Sequence, residues 1–302
     1  MAAKKLGAEF TYDLSELLKV DPNLIHYEEV AAIPTGMDEP RGIAIGAEGR
    51  LFVAGDKCVR CFGPDGKAAA EFAAAEPLRV AVAPAGTIYT AMTDHVEVFD
   101  PQGKRTAAWK SEGQKPVITC VAAGDNDVFV ADAAACLVYR YNWAGELICR
   151  IGGEDAAKKI PGIVVPSPYF DVAVGPQGTL WVANPGRRRI ERYTFDGNLV
   201  SAWGKASPKI EGFCGCCNPT HIAALPDGGL VTSEKGLARV KTYTAQGELV
   251  SVVAPPAAFA GGTTGLDVAA DSRGRIWVLD PVARKVRLFT RKQTAPALEP
   301  KA

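Results

Sequence analysis

Six stretches of the chain repeat one hydrophobic pattern. In "GIAIGAEGRLFVAG", "RVAVAPAGTIYTAM", "CVAAGDNDVFVADA", "DVAVGPQGTLWVAN", "HIAALPDGGLVTSE" and "LDVAADSRGRIWVLD" a short β-branched run, a turn with Gly or Asn, and a second apolar run follow in that order. Short apolar runs bounded by turn residues read as strands. The turn markers Gly49, Gly86, Asn126, Gly178, Gly228 and Gly274 lie 37 to 52 residues apart, which makes this a repeat with insertions of variable length.

Each unit continues with a third strand that places a β-branched residue three positions before an aromatic. The pairs are Val59 with Phe62, Val96 with Phe99, Val138 with Tyr141, Ile190 with Tyr193, Val240 with Tyr243 and Val286 with Phe289. After five of them come the turns "GPDGK", "DPQGK", "NWAGE", "TFDGN" and "TAQGE", hairpins that suit Gly at positive φ. A fourth strand then ends at Phe72, Trp109, Ile151, Trp203 or Val253. The sixth unit stops after three strands, and "IHYEEVAAI" ahead of the first unit has the composition to supply the missing one. The pattern therefore predicts an all-β, six-bladed β-propeller with four-stranded blades, closed by an N-terminal strand completing the last blade. Residues 1–24 form an N-terminal extension, 25–290 the single propeller domain and 291–302 a polar tail.

Blades worded "GIAIGAEGRLFVAG...VRCFGPDGK" and "FDVAVGPQGTLWVANPGRRRIERYTFDGNLV" resemble NHL repeats over roughly residues 26 to 290. The resemblance implies the fold strongly and the function weakly. Similar propellers serve as protein- or RNA-binding modules, as the peptidyl-hydroxyglycine amidating lyase and as gluconolactonase-type hydrolases. The "NHL" tripeptide itself is absent from the second strands.

Composition narrows the classes. With 47% hydrophobic and 23% charged residues the chain can bury a large core. Its 34 basic and 34 acidic side chains cancel, so no bulk field draws it to nucleic acid or to an anionic membrane. There is no apolar run long enough to span a bilayer. The first 25 residues contain no apolar signal core, which makes a cytoplasmic location the default and a periplasmic or secreted one, with its signal removed, the alternative. A closed propeller needs no partner copy, so a monomer is expected.

First strands line a propeller's axis, and the loops leading into them gather on one face, the mouth. Register puts Gly42, Arg79, Cys120, Asp171, His221 and Asp267 at one position in successive blades. Two residues on stand Ala44, Ala81, Ala122, Ala173, Ala223 and Ala269, on the same strand face. Crowding near the axis explains the alanines but not the charged and soft residues before them. Buried charges need partners, so this ring either binds a ligand or forms a structural network in which Arg79 pairs with the aspartates. In gluconolactonase-type propellers metal-binding carboxylates and amides occupy similar positions, so the resemblance supports a site. Cys120 and His221, however, are softer donors than calcium favours.

The segment "GFCGCCNPTHIA" adds Cys214, Cys216 and Cys217 immediately before His221, in a loop of about 17 residues that also opens at the mouth. Thiolate and imidazole together suit copper or zinc, and the sulfur content favours copper. Three arrangements compete: a mononuclear site built from Cys120, His221 and one or two loop cysteines, a disulfide among the loop thiols, or free thiols in a tight turn. A vicinal disulfide between Cys216 and Cys217 would be strained and redox-active. The "CVRC" pair Cys58 and Cys61 lies on one strand at odd spacing, facing opposite sides, and makes poor co-ligands. Cys136 and Cys149 read as core or an optional disulfide, His26 and His95 as surface, and "GRRRIERY" as a solvated hairpin tip.

These readings define a metal-dependent enzyme acting on a small molecule or peptide at the mouth, oxidoreductase ahead of lyase or hydrolase. Cys120, His221, Cys214, Cys216 and Cys217 would hold the metal, with Asp171, Asp267 and Arg79 as catalytic or substrate-orienting groups. The amidating lyase's zinc is held by histidines, and this chain has three histidines in all. The alternative is a non-catalytic NHL-type scaffold that binds a protein or peptide.

Overall fold

Every repeat forms an antiparallel meander of four strands, and the six meanders make six separate sheets. A computed structural model describes residues 15–293; residues 1–14 of the expected extension and 294–302 of the expected tail lie outside the described residues. Blade 1 comprises Pro40–Ile45, Leu51–Gly55, Cys58–Phe62 and Ala68–Ala73, and blade 2 Arg79–Val82, Ile88–Ala91, His95–Phe99 and Arg105–Lys110. Blade 3 is Ile118–Ala123, Asp127–Asp132, Leu137–Asn142 and Leu147–Ile151; blade 4 is Val172–Gly175, Thr179–Asn184, Arg189–Thr194 and Leu199–Trp203. Blade 5 is His221–Ala224, Leu230–Glu234, Arg239–Tyr243 and Leu249–Ala254.

Blade 6 takes Val268–Ala270, Ile276–Asp280 and Lys285–Arg291 from the C-terminal end and Tyr27–Pro34 from the N-terminal end. The two ends pair antiparallel from Tyr27 opposite Arg291 to Pro34 opposite Lys285, with a bulge between Glu29 and Ala31. The expected closing strand is therefore in place, and it hides the edge that the short sixth repeat would expose.

Each blade is clamped between two others, so its second strand is buried on both faces, as the unbroken burial of Leu51–Gly55 and Asp127–Asp132 shows. One apolar cluster fills each junction: Phe52 and Val80 between blades 1 and 2, for example, and Val240 and Val268 between blades 5 and 6. Cys58 packs toward blade 6 and Cys61 toward blade 2, in line with their odd spacing.

The third-strand aromatics seal the outer part of these junctions. Phe72, Trp109 and Trp203, at the ends of fourth strands, pack on Phe99, Tyr141 and Tyr243 of the following blade at 4.8, 5.9 and 5.0 Å between ring centroids. The hairpin glycines serve this contact as well as the turn. Gly145 has φ +83°, and a Cβ there would sit 2.5 Å from the Trp109 indole. The repeated Gly is thus required both by its backbone and by the ring that lies against it.

Candidate functional site

The register reading of the axis holds in detail. Gly42, Arg79, Cys120 and His221 stand opposite Ala54, Ala91, Ala131 and Ser233, while the carbonyls of Asp171 and Asp267 accept from Ala183 and Leu279 in the same place. Gly42 is the exception in chemistry for a steric reason: a Cβ there would lie 2.9 Å from the Arg79 Cα and the Leu78 carbonyl oxygen. Blade 2 approaches too closely for a side chain.

Most polar members of this ring reach sideways to an adjoining blade. Asp171 accepts from the Ile222 amide at 2.6 Å, and Asp267 accepts from the Ile43 amide at 2.7 Å. Cys120 Sγ donates to the Val172 carbonyl at 3.5 Å, and its neighbour Thr119 donates to Phe170 at 2.6 Å. Arg79 Nη1 donates to the carbonyls of Arg41 and Leu78, and Ser233 Oγ donates to Leu266. With the backbone bond from Ile118 to Thr93, every one of the six junctions is laced near the axis. Buried polar groups thereby find partners that apolar residues could not supply.

Arg79 also joins the ring across its diameter. Its Nη2 contacts His221 Nε2, so that nitrogen is the acceptor and the ring proton sits on Nδ1, which faces the Ser233 hydroxyl at 3.4 Å. Burial, and then the Arg79 charge, hold the imidazole well below its usual range, so it is neutral. Burial and the nearby Asp267 carboxylate raise Asp171 to about 7, against the pull of Arg79, and burial raises Asp267 as well. Cys120 is pushed well above the ordinary thiol range by burial and by Asp171, so it remains protonated.

Arg79 also lines a cavity of about 550 Å³ at the mouth, together with Glu39, Arg41, Thr93, Thr119 and Val282. Thus one side chain belongs both to the open pocket and to the buried cluster beneath it. Its Nε is buried without a hydrogen-bond partner.

The cysteine loop is built differently. Three side chains of blade 5 hold its backbone: Glu234 accepts from the Cys214 amide at 3.0 Å, Lys241 donates to Ile210 and Gly212, and Arg239 donates to Gly212. Glu234 binds Arg239 at 2.8 Å and Lys241 at 2.7 Å, all three buried. Burial, against the pull of Glu234, lowers Lys241 to about 8. Asn218 completes the frame by bonding both the carbonyl and the amide of Lys235.

Within this frame Cys217 is buried, Cys216 exposed, and their sulfurs are 3.3 Å apart. Lys235 Nζ lies 4.4 Å over the ring of Tyr169, which in turn meets His221 edge-on at 5.9 Å. The loop therefore reaches the rim of the axial cluster with Tyr169 and Lys235 intervening. All eight cysteines are free, including Cys136 and Cys149.

The copper or zinc ligand set expected from Cys120, His221, Cys214, Cys216 and Cys217 is not assembled. Among the described residues no group of three or more His, Cys, Asp or Glu side chains is placed to hold a metal ion. The reasons are local: His221 Nε2 is taken by a cation, and the Cys120 thiol is protonated and bonded to a carbonyl. The "GRRRIERY" hairpin is also more than a solvated tip. Arg187 donates to the carbonyls of Pro161 and Gly162, Asn184 accepts from Val164, and together they pin the long loop leading into blade 4.

One set of residues escaped the sequence reading although its signal was visible. A polar residue ends or follows the second strand in five blades: Asp56, Asp132, Asn184, Glu234 and Asp280. In four of them it accepts from the incoming loop, at the amides of Glu39, Val117, Val164 and Cys214.

These features define a six-bladed propeller with a charged axial cluster under an open mouth. No protein-family model matches the chain, and no curated protein matches it in sequence. Solved structures do share its fold. Virginiamycin B lyase from Staphylococcus aureus is similar at TM-score 0.61 with 14% identity, over 88% of this chain and 100% of that one. A streptogramin B lyase is similar at TM-score 0.61 with 13% identity, over 90% of this chain and 100% of that one. A catalytically inactive His-to-Ala variant of the S. aureus enzyme, solved with quinupristin, matches at TM-score 0.60 with 14% identity, over 88% of this chain and 100% of that one.

Proposed function

We propose that this propeller binds a small molecule in its mouth cavity and acts on it by proton transfer, in the manner of a lyase or hydrolase. The observation that carries the reading is the double position of Arg79, which lines the 550 Å³ cavity and touches the buried cluster beneath it. A guanidinium in a pocket wall suits a carboxylate or a polarised carbonyl on the ligand. Asp171, raised to about 7 first by burial and then by the Asp267 charge, is matched to accept or release a proton at neutral pH from its place in the cluster beneath the cavity. Neutral His221 keeps Arg79 oriented. The fold is shared with proteins named as lyases, one of them bound to quinupristin, which supports a small-molecule ligand on this scaffold. The proton transfer proposed for Asp171 draws only on side chains of this chain.

A specific observation favours a second reading, a binder without chemistry. Both carboxylates already accept amides from neighbouring blades, which is a sufficient structural reason for them.

The test is a calorimetric screen of small carboxylates, lactones and cyclic depsipeptides against the wild type, Val282→Trp and Asp171→Asn. Val282 is exposed in the cavity wall, so a tryptophan there fills the pocket without touching the axis. Saturable binding that falls at least tenfold in Val282→Trp supports the cavity. Turnover lost in Asp171→Asn with binding retained supports the acid–base role. Binding indifferent to Val282→Trp contradicts the proposal.

A further inference from the structure

The pair Cys216 and Cys217 takes no part in the acid–base reading, and its surroundings give it a chemistry of its own. Cys216 is exposed, Cys217 is buried directly behind it, and the two sulfurs touch at 3.3 Å without a bond. The loop that carries them is held by Glu234, Arg239, Lys241 and Asn218, so the contact is a property of a fixed frame. Around Cys217 stand the Ser167 hydroxyl, otherwise without a partner, and the Lys235 ammonium.

We propose that Cys216 and Cys217 form a thiol–disulfide exchange site that takes low-molecular-weight disulfides of the glutathione type. The exposed Cys216 thiolate attacks one sulfur of the external disulfide. That S–S bond breaks, a mixed disulfide forms on Cys216, and the released thiolate takes up the proton that Cys216 lost. Cys217 then attacks the Cys216 sulfur and displaces the second small thiolate, which takes the Cys217 proton. Two protein thiols are oxidised to one disulfide, and one external disulfide is reduced to two thiols.

The roles follow from access and charge. An external disulfide can reach Cys216 but not the buried sulfur, so Cys216 is the residue attacked from outside and Cys217 the resolving one. Burial pushes the Cys217 thiol up, but Ser167, Cys216 and Lys235 outweigh it and bring the thiol below its usual range, which favours the resolving thiolate. Adjacent residues have Cα atoms about 3.8 Å apart across a trans peptide, short of the range ordinary disulfides occupy. The oxidised pair is therefore strained and readily reduced again, as a reversible site requires. Ser167 precedes Pro168 and Tyr169 in the loop that leads into blade 4, so the exchange takes place beside the mouth without depending on what fills it.

The test exposes the reduced full chain to oxidised glutathione, quenches with acid, alkylates, and reads the tryptic peptide 210–235 by mass spectrometry. The wild type should lose two hydrogens on this peptide at least tenfold faster than Cys61 or Cys120 becomes modified, and dithiothreitol should restore it fully. Cys217→Ser should stop at a stable glutathione adduct on Cys216, Cys216→Ser should form neither product, and Cys214→Ser should behave as the wild type. A wild-type peptide that stays reduced, or loss of the disulfide in Cys214→Ser, overturns the proposal. Both of these outcomes are decisive even if Cys217→Ser fails to fold.

Discussion

The axial ring and the cysteine loop lie a few side chains apart and solve opposite problems. In the ring, side chains are spent on backbone: Asp171, Asp267, Cys120 and Arg79 each bind a main-chain group of the adjoining blade. In the loop, side chains from blade 5 take over the backbone, and Glu234, Arg239 and Lys241 satisfy it from below. The ring's sulfur is therefore locked and protonated, whereas the loop's sulfurs are left in contact with each other and partly with solvent. Residue type alone does not separate a reactive cysteine from an inert one; what its backbone needs from it does.

The sharpest way to break the contrast is to remove the loop's support. Glu234→Ala leaves two buried cations without their carboxylate and should cost about 3–5 kcal/mol in chemical denaturation. Exchange of the loop amides, Cys214 first, should quicken in the same variant. A loss under about 1 kcal/mol would mean that the loop holds itself.

Cutting one axial lace should cost less. Asp267→Ala strands the buried Ile43 amide, a penalty of about 1–3 kcal/mol by the same measurement. Cys216→Ser, by contrast, should stay within about 0.5 kcal/mol of the wild type, since the residue is exposed. Equal costs for the two would erase the distinction between ring and loop.

A pH effect should rival the Glu234 loss in size. Asp171 titrates near 7 in the folded protein and near 3.9 when unfolded, so the folded state holds the extra proton over that interval. The stability it contributes is full below about pH 4 and is lost as pH rises through about 7. Denaturation curves across this window should therefore fall with pH in the wild type and fall less in Asp171→Asn. Asp267 titrates in the same direction, so some slope remains in the variant.

Much of this architecture was legible in the chain because a propeller blade is a local object. Period-two strands, glycine hairpins and a spare N-terminal strand state the blade and its closure directly, and Tyr27–Pro34 completes blade 6 as the count of strands requires. The ring was legible as a set of equivalent positions for the same reason. Most of what the ring binds was not legible, because apart from the Arg79–His221 contact its partners are backbone atoms, which leave no mark on residue identity: nothing in the string singles out the Ile222 amide or the Arg41 carbonyl. Cys120, His221 and the loop cysteines are not grouped around one point among the described residues; Arg79 holds His221 Nε2 and Tyr169 meets its ring edge-on. Glu234 had a signal in the run of polar residues closing the second strands, but its meaning depends on which loop arrives beside it.

The most direct measurement is the labelling rate of each of the eight cysteines in the native protein, followed by mass spectrometry with a thiol-reactive probe. Cys216 should be modified first, while Cys120 stays protected until the whole propeller unfolds and then follows the unfolding rate. Cys120 reacting in the native state as fast as Cys216 would contradict the contrast between locked ring and open loop.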